Sequence, residues 1–150
     1  MPIRPATRED AAAISALIIP LVKTHVAPTC TAQGSELILA SMSTLRIEHY
    51  LEQGYHYLVY TDHQAVVGVI GLRDNSHLYH LFVADSHSGR GIAHQLWQRV
   101  KKEAQARGIK HVTVNAALSA APLYERWGFI AESGVREQHG VRDIPMSLTL

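Results

Sequence analysis

The sequence predicts an α/β (α+β) fold: one mixed, mostly antiparallel sheet with helices on both faces, in a single domain spanning residues 1–150. Three observations predict it. The apolar spacing alternates between a helical period and a strand period along the chain. The elements so read follow the order β-α-α-β-β-β-α-β-α-β-β, and short turns join several neighbouring strands, as antiparallel pairing requires. No repeat, low-complexity segment or linker interrupts that order, and 150 residues with 47% hydrophobic content suffice for one proper core.

Ile3-Arg4-Pro5 reads as a short edge strand. Thr7 is a plausible N-cap, with Glu9 and Asp10 in the first turn. Ala12, Ala13, Ile14, Leu17, Ile18, Leu21 and Val22 then form an amphipathic helix ending near Lys23. Pro28 and Gly34 mark Ala27 to Gly34 as loop. A helical region runs from Glu36 to Glu52, broken near Ser41-Met42-Ser43, with Ser43 capping its second half and Gly54 stopping it. From Tyr55 the period becomes that of strands. Tyr55 to Tyr60 and Val66 to Leu72 form a hairpin about Asp62-His63-Gln64, and Arg73 to Ser76 turns into the strand Leu78–Val83. His77 and His80, three apart in a strand, are expected on opposite faces, and His80 on the face of Leu78 and Phe82.

Ile92, Leu96, Val100 and Ala104 share one face of a helix that Arg107-Gly108 ends. Lys110 to Asn115 is a strand with Val112 and Val114 on one face. Ser119 is expected to cap a short helix, Ala120 to Trp127, with Pro122 in its first turn. Ile130 to Arg136 and Val141 to Leu150 are expected as a last antiparallel pair around His139-Gly140.

Composition excludes several function classes. Fourteen Lys and Arg against 13 Asp and Glu give a net charge of +1, so no global field draws the chain to nucleic acid or membrane. No apolar run approaches the ~18 residues of a membrane span, and no signal peptide is visible. The single cysteine, Cys30, forms no internal disulfide and fits a reducing compartment, so a cytoplasmic protein is expected. Ten histidines are scattered without metal-ligand spacing, and no metal site is expected.

The chemistry concentrates at strand Leu78–Val83, the turn Ser86 to Gly91, and the helix from Ile92. The first N–H groups of a helix have no partner within it, and its dipole favours an anion there. Gly89 and Gly91 let a phosphate approach without a Cβ in the way, and Arg90 adds a charged donor. The spacing is not that of a dinucleotide fingerprint, and no Gly-Lys-Ser/Thr ending marks a nucleoside-triphosphate loop.

The element order, the Phe-Val…Ser-Gly-Arg-Gly-Ile-Ala helix start and the later Leu123-Tyr124-Glu125-Arg126-Trp127-Gly128-Phe129 resemble the GNAT superfamily of N-acetyltransferases. The resemblance implies a GNAT-like sheet with a V-shaped split between its fourth and fifth strands, and acetyl-CoA as co-substrate. In that family an Arg/Gln-x-x-Gly-x-Gly/Ala turn holds the pyrophosphate. Here it reads Ser88-Gly89-Arg90-Gly91-Ile92-Ala93, in which Gly91 and Ala93 match and Ser88 departs. Leu81, Phe82 and Val83 are implied to pair their backbone with the pantetheine arm, and Asn115 to face the cofactor or acceptor; its alternative is a turn-forming asparagine. Tyr124 is implied as the general acid on the departing thiolate, consistent with a phenol of pKa near 10; its alternative is a core aromatic. His80 is the local candidate for the base, with a packed core histidine as the alternative. Cys30, in a loop with no neighbouring His in sequence, is a poor nucleophile candidate.

The implied function is direct acetyl transfer to a primary amine through a ternary complex. The acceptor, a small molecule or a peptide, is left open. Self-association as a homodimer through the last strands is also open. The alternative from another class is a non-catalytic acyl-CoA-binding module that senses the ligand and regulates a partner. A mononucleotide-binding regulator is weakened by the missing lysine and the antiparallel hairpins.

Overall fold

The computed structural model describes residues 2–150. β1 (Ile3–Pro5) leads through a 3₁₀ turn at Arg8–Asp10 into α1 (Ala11–His25). A second such turn, Ala27–Thr29, precedes α2 (Ala32–Ala40) and α3 (Thr44–Glu52). Three strands follow, β2 (His56–Asp62), β3 (Ala65–Arg73) and β4 (His77–Val83). Then come α4 (Ile92–Ala106), β5 (His111–Ala117), α5 (Ala121–Arg126), β6 (Ile130–Ala131), β7 (Arg136–Gln138) and β8 (Val141–Thr149). The strand order is β1-β2-β3-β4-β5-β8-β6, with β7 paired to β8. Every pairing is antiparallel except that of β4 with β5.

The local signals act as their chemistry dictates. Asp10 accepts the Thr7 N–H at 2.7 Å and both Arg4 guanidinium nitrogens at 2.8 Å, fixing the entry to α1. Ser43 caps α3 through the Arg46 N–H. His63 and Gln64, and then Asp74 and Asn75, take positive φ at the two hairpin turns. The sheet is sandwiched: α1 and α3 pack Ile14, Ile18, Val22 and Ile47 against Tyr57, Val59 and Val69. On the other face α4 packs Leu96, Trp97 and Val100 against Ile70, Leu72, Leu78 and Val114.

Four expectations need correction. The stretch Ala27 to Gly34 is not loop throughout: the Thr31 hydroxyl accepts the Gly34 N–H and starts α2 at Ala32. Gly34 is there for a close approach, because a Cβ on it would collide with the Gly140 carbonyl. Ser119 caps nothing; α5 starts one turn position later, after Ala120, with no side-chain cap. The strand expected over Ile130 to Arg136 is interrupted and survives as the two short pieces β6 and β7, with Ser133-Gly134 between them.

The fourth correction matters most for function. The β3–β4 register pairs Gly71 with His80 but Leu72 with Leu78, so Tyr79 is an extra residue, a β-bulge. The bulge reverses the parity of the strand. Leu78 packs on the α4 face, whereas His80 lies among Tyr50, Tyr57, Tyr79 and Phe82 on the α1 face. His80 therefore shares its face with Phe82 and not with Leu78, and His77 and His80 line one common cavity rather than opposite faces. At the same place β4 leaves β5: only His77 with Thr113 and Leu78 with Val114 are paired, and the strands diverge beyond them.

Candidate active site

The divergence of β4 from β5 opens a cavity of about 240 Å³. Its walls come from Leu81, Phe82 and Val83 of β4, Asn115 of β5, and Tyr124 of α5. His80 and Tyr79 also line it, as does His25 at the end of α1. A second cavity of about 190 Å³ adjoins it, sharing Tyr79, His80 and Asn115 and adding Arg73, Arg142 and Asp143.

Beyond Val83 the chain passes a 3₁₀ turn at Asp85–His87 and reaches Ser88 to Ala93. Asp62, at the end of β2, can only accept, so in the neutral ring His87 Nε2 donates to it at 2.8 Å and Nδ1 accepts from the Ser86 hydroxyl. That hydrogen bond holds the Asp62 carboxyl below the usual carboxylate range, and the pair ties the turn to the β2–β3 hairpin. Gly89 and Gly91 both have φ of +76°, a left-handed conformation costly to any other residue, and nothing lies within 4 Å of where a Cβ would stand. The Ser88 N–H is spent on Asp85, and the first bond of the following helix runs from Gln95 to Gly91. Among the described residues, the N–H groups of Gly89 through His94 have no backbone acceptor. This is an anion cradle in form. A surface pocket beside it is lined by Ser88, Gly91, Ala93, His94, Arg126 and Trp127.

Tyr124 is 4% exposed and held edge-on by Trp127 and Phe129, with ring centroids 5.8 and 5.4 Å away. Burial pushes its pKa up, so the phenol keeps its proton across the neutral range. Its hydroxyl has no hydrogen-bond partner among the described residues, yet no fully sealed side-chain oxygen or nitrogen there lacks one; the hydroxyl therefore opens to the cavity it lines. The same reasoning applies to His80 Nε2. His80 Nδ1 lies 2.7 Å from the Tyr57 hydroxyl, and burial lowers the ring's pKa to about 3. Gly71 makes that bond geometrically possible: it sits between the two on β3, and a Cβ there would strike the Tyr57 ring.

Residues 26–150 match the family described as the acetyltransferase (GNAT) domain. The chain belongs to the GNAT acetyltransferase family. Membership of that family implies acetyl transfer from acetyl-CoA. The fold of this acetyltransferase is also that of solved relatives. A GCN5-related N-acetyltransferase from Rhodopseudomonas palustris superposes with a TM-score of 0.85 at 24% identity, over 99% of this chain and 94% of that one. A PaiA N-acetyltransferase from Thermoplasma acidophilum, solved with coenzyme A, gives 0.79 at 16% identity, over 99% and 98%. A ribosomal-protein-alanine N-acetyltransferase from Brucella melitensis gives 0.70 at 23%, over the whole of both chains. No curated protein sequence matches the chain. No helix among the described residues is long and apolar enough to cross a membrane.

The structure of the acetyltransferase gathers Tyr124, His80, Asn115 and Leu81 to Val83 around one cavity and sets Ser88, Gly89, Gly91, Ile92 and Ala93 at a separate pocket further along the chain, which the Arg90 side chain does not line. Cys30 lines neither. Sequence reasoning missed Tyr57, Tyr79, His94, Arg126 and Trp127. Arg126, two positions past Tyr124 on the same short helix, carried the one usable signal, a cation close to an already suspected residue.

Proposed function

We propose that this protein is an N-acetyltransferase that moves the acetyl group of acetyl-CoA directly to a primary amine in a ternary complex. The observation that carries the reading is the phenol of Tyr124, buried, proton-bearing and opening into the split between β4 and β5. The N–H groups from Gly89 to Ala93, with Arg90 and Ile92 at the helix start, are read as the pyrophosphate cradle. Ser88 lacks the usual long polar side chain, and Arg126 and His94 supply cationic or donor groups beside it. Leu81, Phe82 and Val83 present free strand edge to the pantetheine amides, because β5 has already turned away.

In the reaction, the lone pair of a neutral amine attacks the thioester carbonyl carbon. A C–N bond forms, and an N–H of β4 near Phe82–Val83 stabilises the oxyanion. The C–S bond breaks, the sulfur takes the phenolic proton of Tyr124, the proton shed by the new amide nitrogen passes to solvent, and solvent returns a proton to the Tyr124 phenolate before the next turnover. Asn115, on the opposite wall, is placed to orient either substrate. His80 takes a different role from the base expected of it. A ring with a pKa of about 3 is a poor acceptor for an ammonium proton. The Tyr57 hydroxyl has no other acceptor among the described residues, so it donates to Nδ1, which leaves Nε2–H as a neutral donor to the cavity. We read His80 as a group that hydrogen-bonds a substrate carbonyl.

Calorimetric titration with CoA and acetyl-CoA, followed by thiol release over an amine panel, tests this reading. Binding and release are expected, with Tyr124→Phe lowering kcat by ~10²–10⁴ and leaving the KM for acetyl-CoA within threefold. Full kcat in Tyr124→Phe removes the acid assignment. Binding with no release from any amine replaces the enzyme reading with that of an acyl-CoA sensor.

A further inference from the structure

The second cavity, on the side of the split away from the anion cradle, has a chemistry of its own. Its apolar wall comes from Val26, Ile38 and Met42 of the α1–α2 region and from Val141 of β8. Its charged groups are Arg73, Arg142 and Asp143. Asp143 is already engaged, accepting from Arg136 Nε at 2.6 Å. Arg142 is engaged as well, donating to Glu137 at 2.9 Å and to the Thr29 carbonyl at 3.1 Å. The Arg73 guanidinium has no ion pair or hydrogen bond among the described residues. The field is felt at His77, also on the wall: burial first, then Arg73 and Arg136, lower its pKa, and Asp74 only partly offsets them. Of the charged groups that line the chamber, the Arg73 guanidinium alone is without a partner among the described residues, so an incoming molecule meets one free cation there; Asp74, which acts on His77, is not among the lining residues.

Two of the elements that line the chamber are also tied together. The Thr31 N–H donates to the Gly140 carbonyl at 2.9 Å, and Gly34 and Gly140 meet so closely that neither has room for a Cβ. This contact joins the start of α2 to the β7–β8 turn and so fixes two elements that supply wall residues, Ile38 and Val141, to a space of about 190 Å³. A space of that volume is sized for a small acceptor.

Resting on the N-acetyltransferase reading, we propose that the acceptor is a free α-amino acid with an apolar side chain. Its carboxylate is held by Arg73, its side chain rests on Val26, Ile38 and Met42, and its amino nitrogen points into the split. A polyamine would meet repulsion at Arg73 and find no free carboxylate among the lining groups. The same positive field disfavours the ammonium form of the acceptor, which is the form that cannot attack. The transfer balances as above: the amino nitrogen gains the acetyl carbon and loses a proton, and CoA leaves as the thiol.

The test compares L-methionine, L-methioninamide, spermidine and a Met-Ala-Ala tripeptide as acceptors with acetyl-CoA, read by thiol release. L-methionine is expected to exceed the amide at least tenfold in kcat/KM, with spermidine and the tripeptide lower still. Arg73→Ala is expected to raise the KM for L-methionine at least tenfold with kcat within twofold and the amide unaffected; Arg73→Lys should restore part of the loss. Equal use of the amide, preference for spermidine or the tripeptide, or an unchanged KM in Arg73→Ala overturns the proposal and leaves the acetyltransferase reading standing. A parallel calorimetric titration of N-acetyl-L-methionine into the CoA-loaded protein does not depend on turnover. Binding that Arg73→Ala abolishes, with no thiol release, supports the carboxylate site while the enzyme reading fails. No binding and no release overturns both.

Discussion

Tyr57 and His80 form a side-chain hydrogen bond in which both groups are buried, 2% and 3% exposed. Leaving one such partner unpaired costs ~1–3 kcal/mol. Tyr57→Phe is therefore expected to lower unfolding free energy by about that amount in urea melts, and also to lower kcat, because His80 loses the bond that fixes its tautomer. A second expectation concerns pH. His80 is neutral in the fold, with its pKa lowered from 6.5 to about 3, whereas the unfolded chain takes up a proton near 6.5. Between those values the unfolded state binds more protons, so stability is full above 6.5 and falls as the pH drops, at up to about 1.4 kcal/mol per unit. The urea midpoint of the wild type should fall between pH 6.5 and 5, and His80→Gln should fall less; parallel slopes would refute the assignment. At this scale the sequence was partly readable. Gly91 stood out because turn chemistry marks it locally, and Tyr124 through the family likeness of its segment alone. Tyr57 did not, because its role depends on a partner 23 residues away and on Gly71 having no side chain between them.

Among the elements, the joint between α2 and the β7–β8 turn sets the form of the acceptor chamber. Gly34 and Gly140 face each other backbone to backbone, so the clash from an added methyl falls on main chain and has no flexible side chain to absorb it. Gly34→Ala is expected to lower stability by ~1–3 kcal/mol, as overpacking does. It should also raise the acceptor KM more than the acetyl-CoA KM, since the cradle lies at the far end of the split. A uniform rise in both constants would mean the joint is only structural. The sequence suggested a loop here because glycine is read as a breaker; what Gly34 supplies is space, which only the tertiary contact reveals. The interrupted strand at β6 and β7 escaped for a similar reason: Ile130, Val135 and their neighbours have strand composition, but pairing exists only where β8 lies alongside.

For the whole molecule, the two faces of the sheet divide the labour. One carries α4, whose start is the anion cradle in form, and the other carries α1 to α3, of which α1 and α2 with their flanking residues border the two cavities of the split. A ligand that touches β4, β5 and the start of α4 together couples its binding to global folding. At 100 times its Kd, CoA should add about 2.7 kcal/mol of stability. In a chain of this size, at ~2–4 °C per kcal/mol, that raises Tm by roughly 5–10 °C. Gly91→Ala should show a much smaller shift, because its left-handed φ is lost to most residues with a Cβ. An equal shift would mean that the ligand binds elsewhere. The overall architecture was legible because it rests on long periodic segments such as Ile92, Leu96, Val100 and Ala104. The break between β4 and β5 was carried by family likeness alone, since nothing in the residues themselves announces where two strands part.

The extra residue at Tyr79 has a consequence for how this chain tolerates insertions and deletions. Because Gly71 pairs with His80 and Leu72 with Leu78, removing Tyr79 would leave consecutive pairs and a regular alternation, with Leu78 still on the α4 face and His80 still beside Tyr57. What would go is the Tyr79 ring and the local bend that an extra residue gives a strand. Removing Leu81 is a different matter, because His80 and Phe82 now share a face and as direct neighbours one of them would have to leave it. A single-residue deletion should be accepted at Tyr79 and rejected two positions further along the same strand.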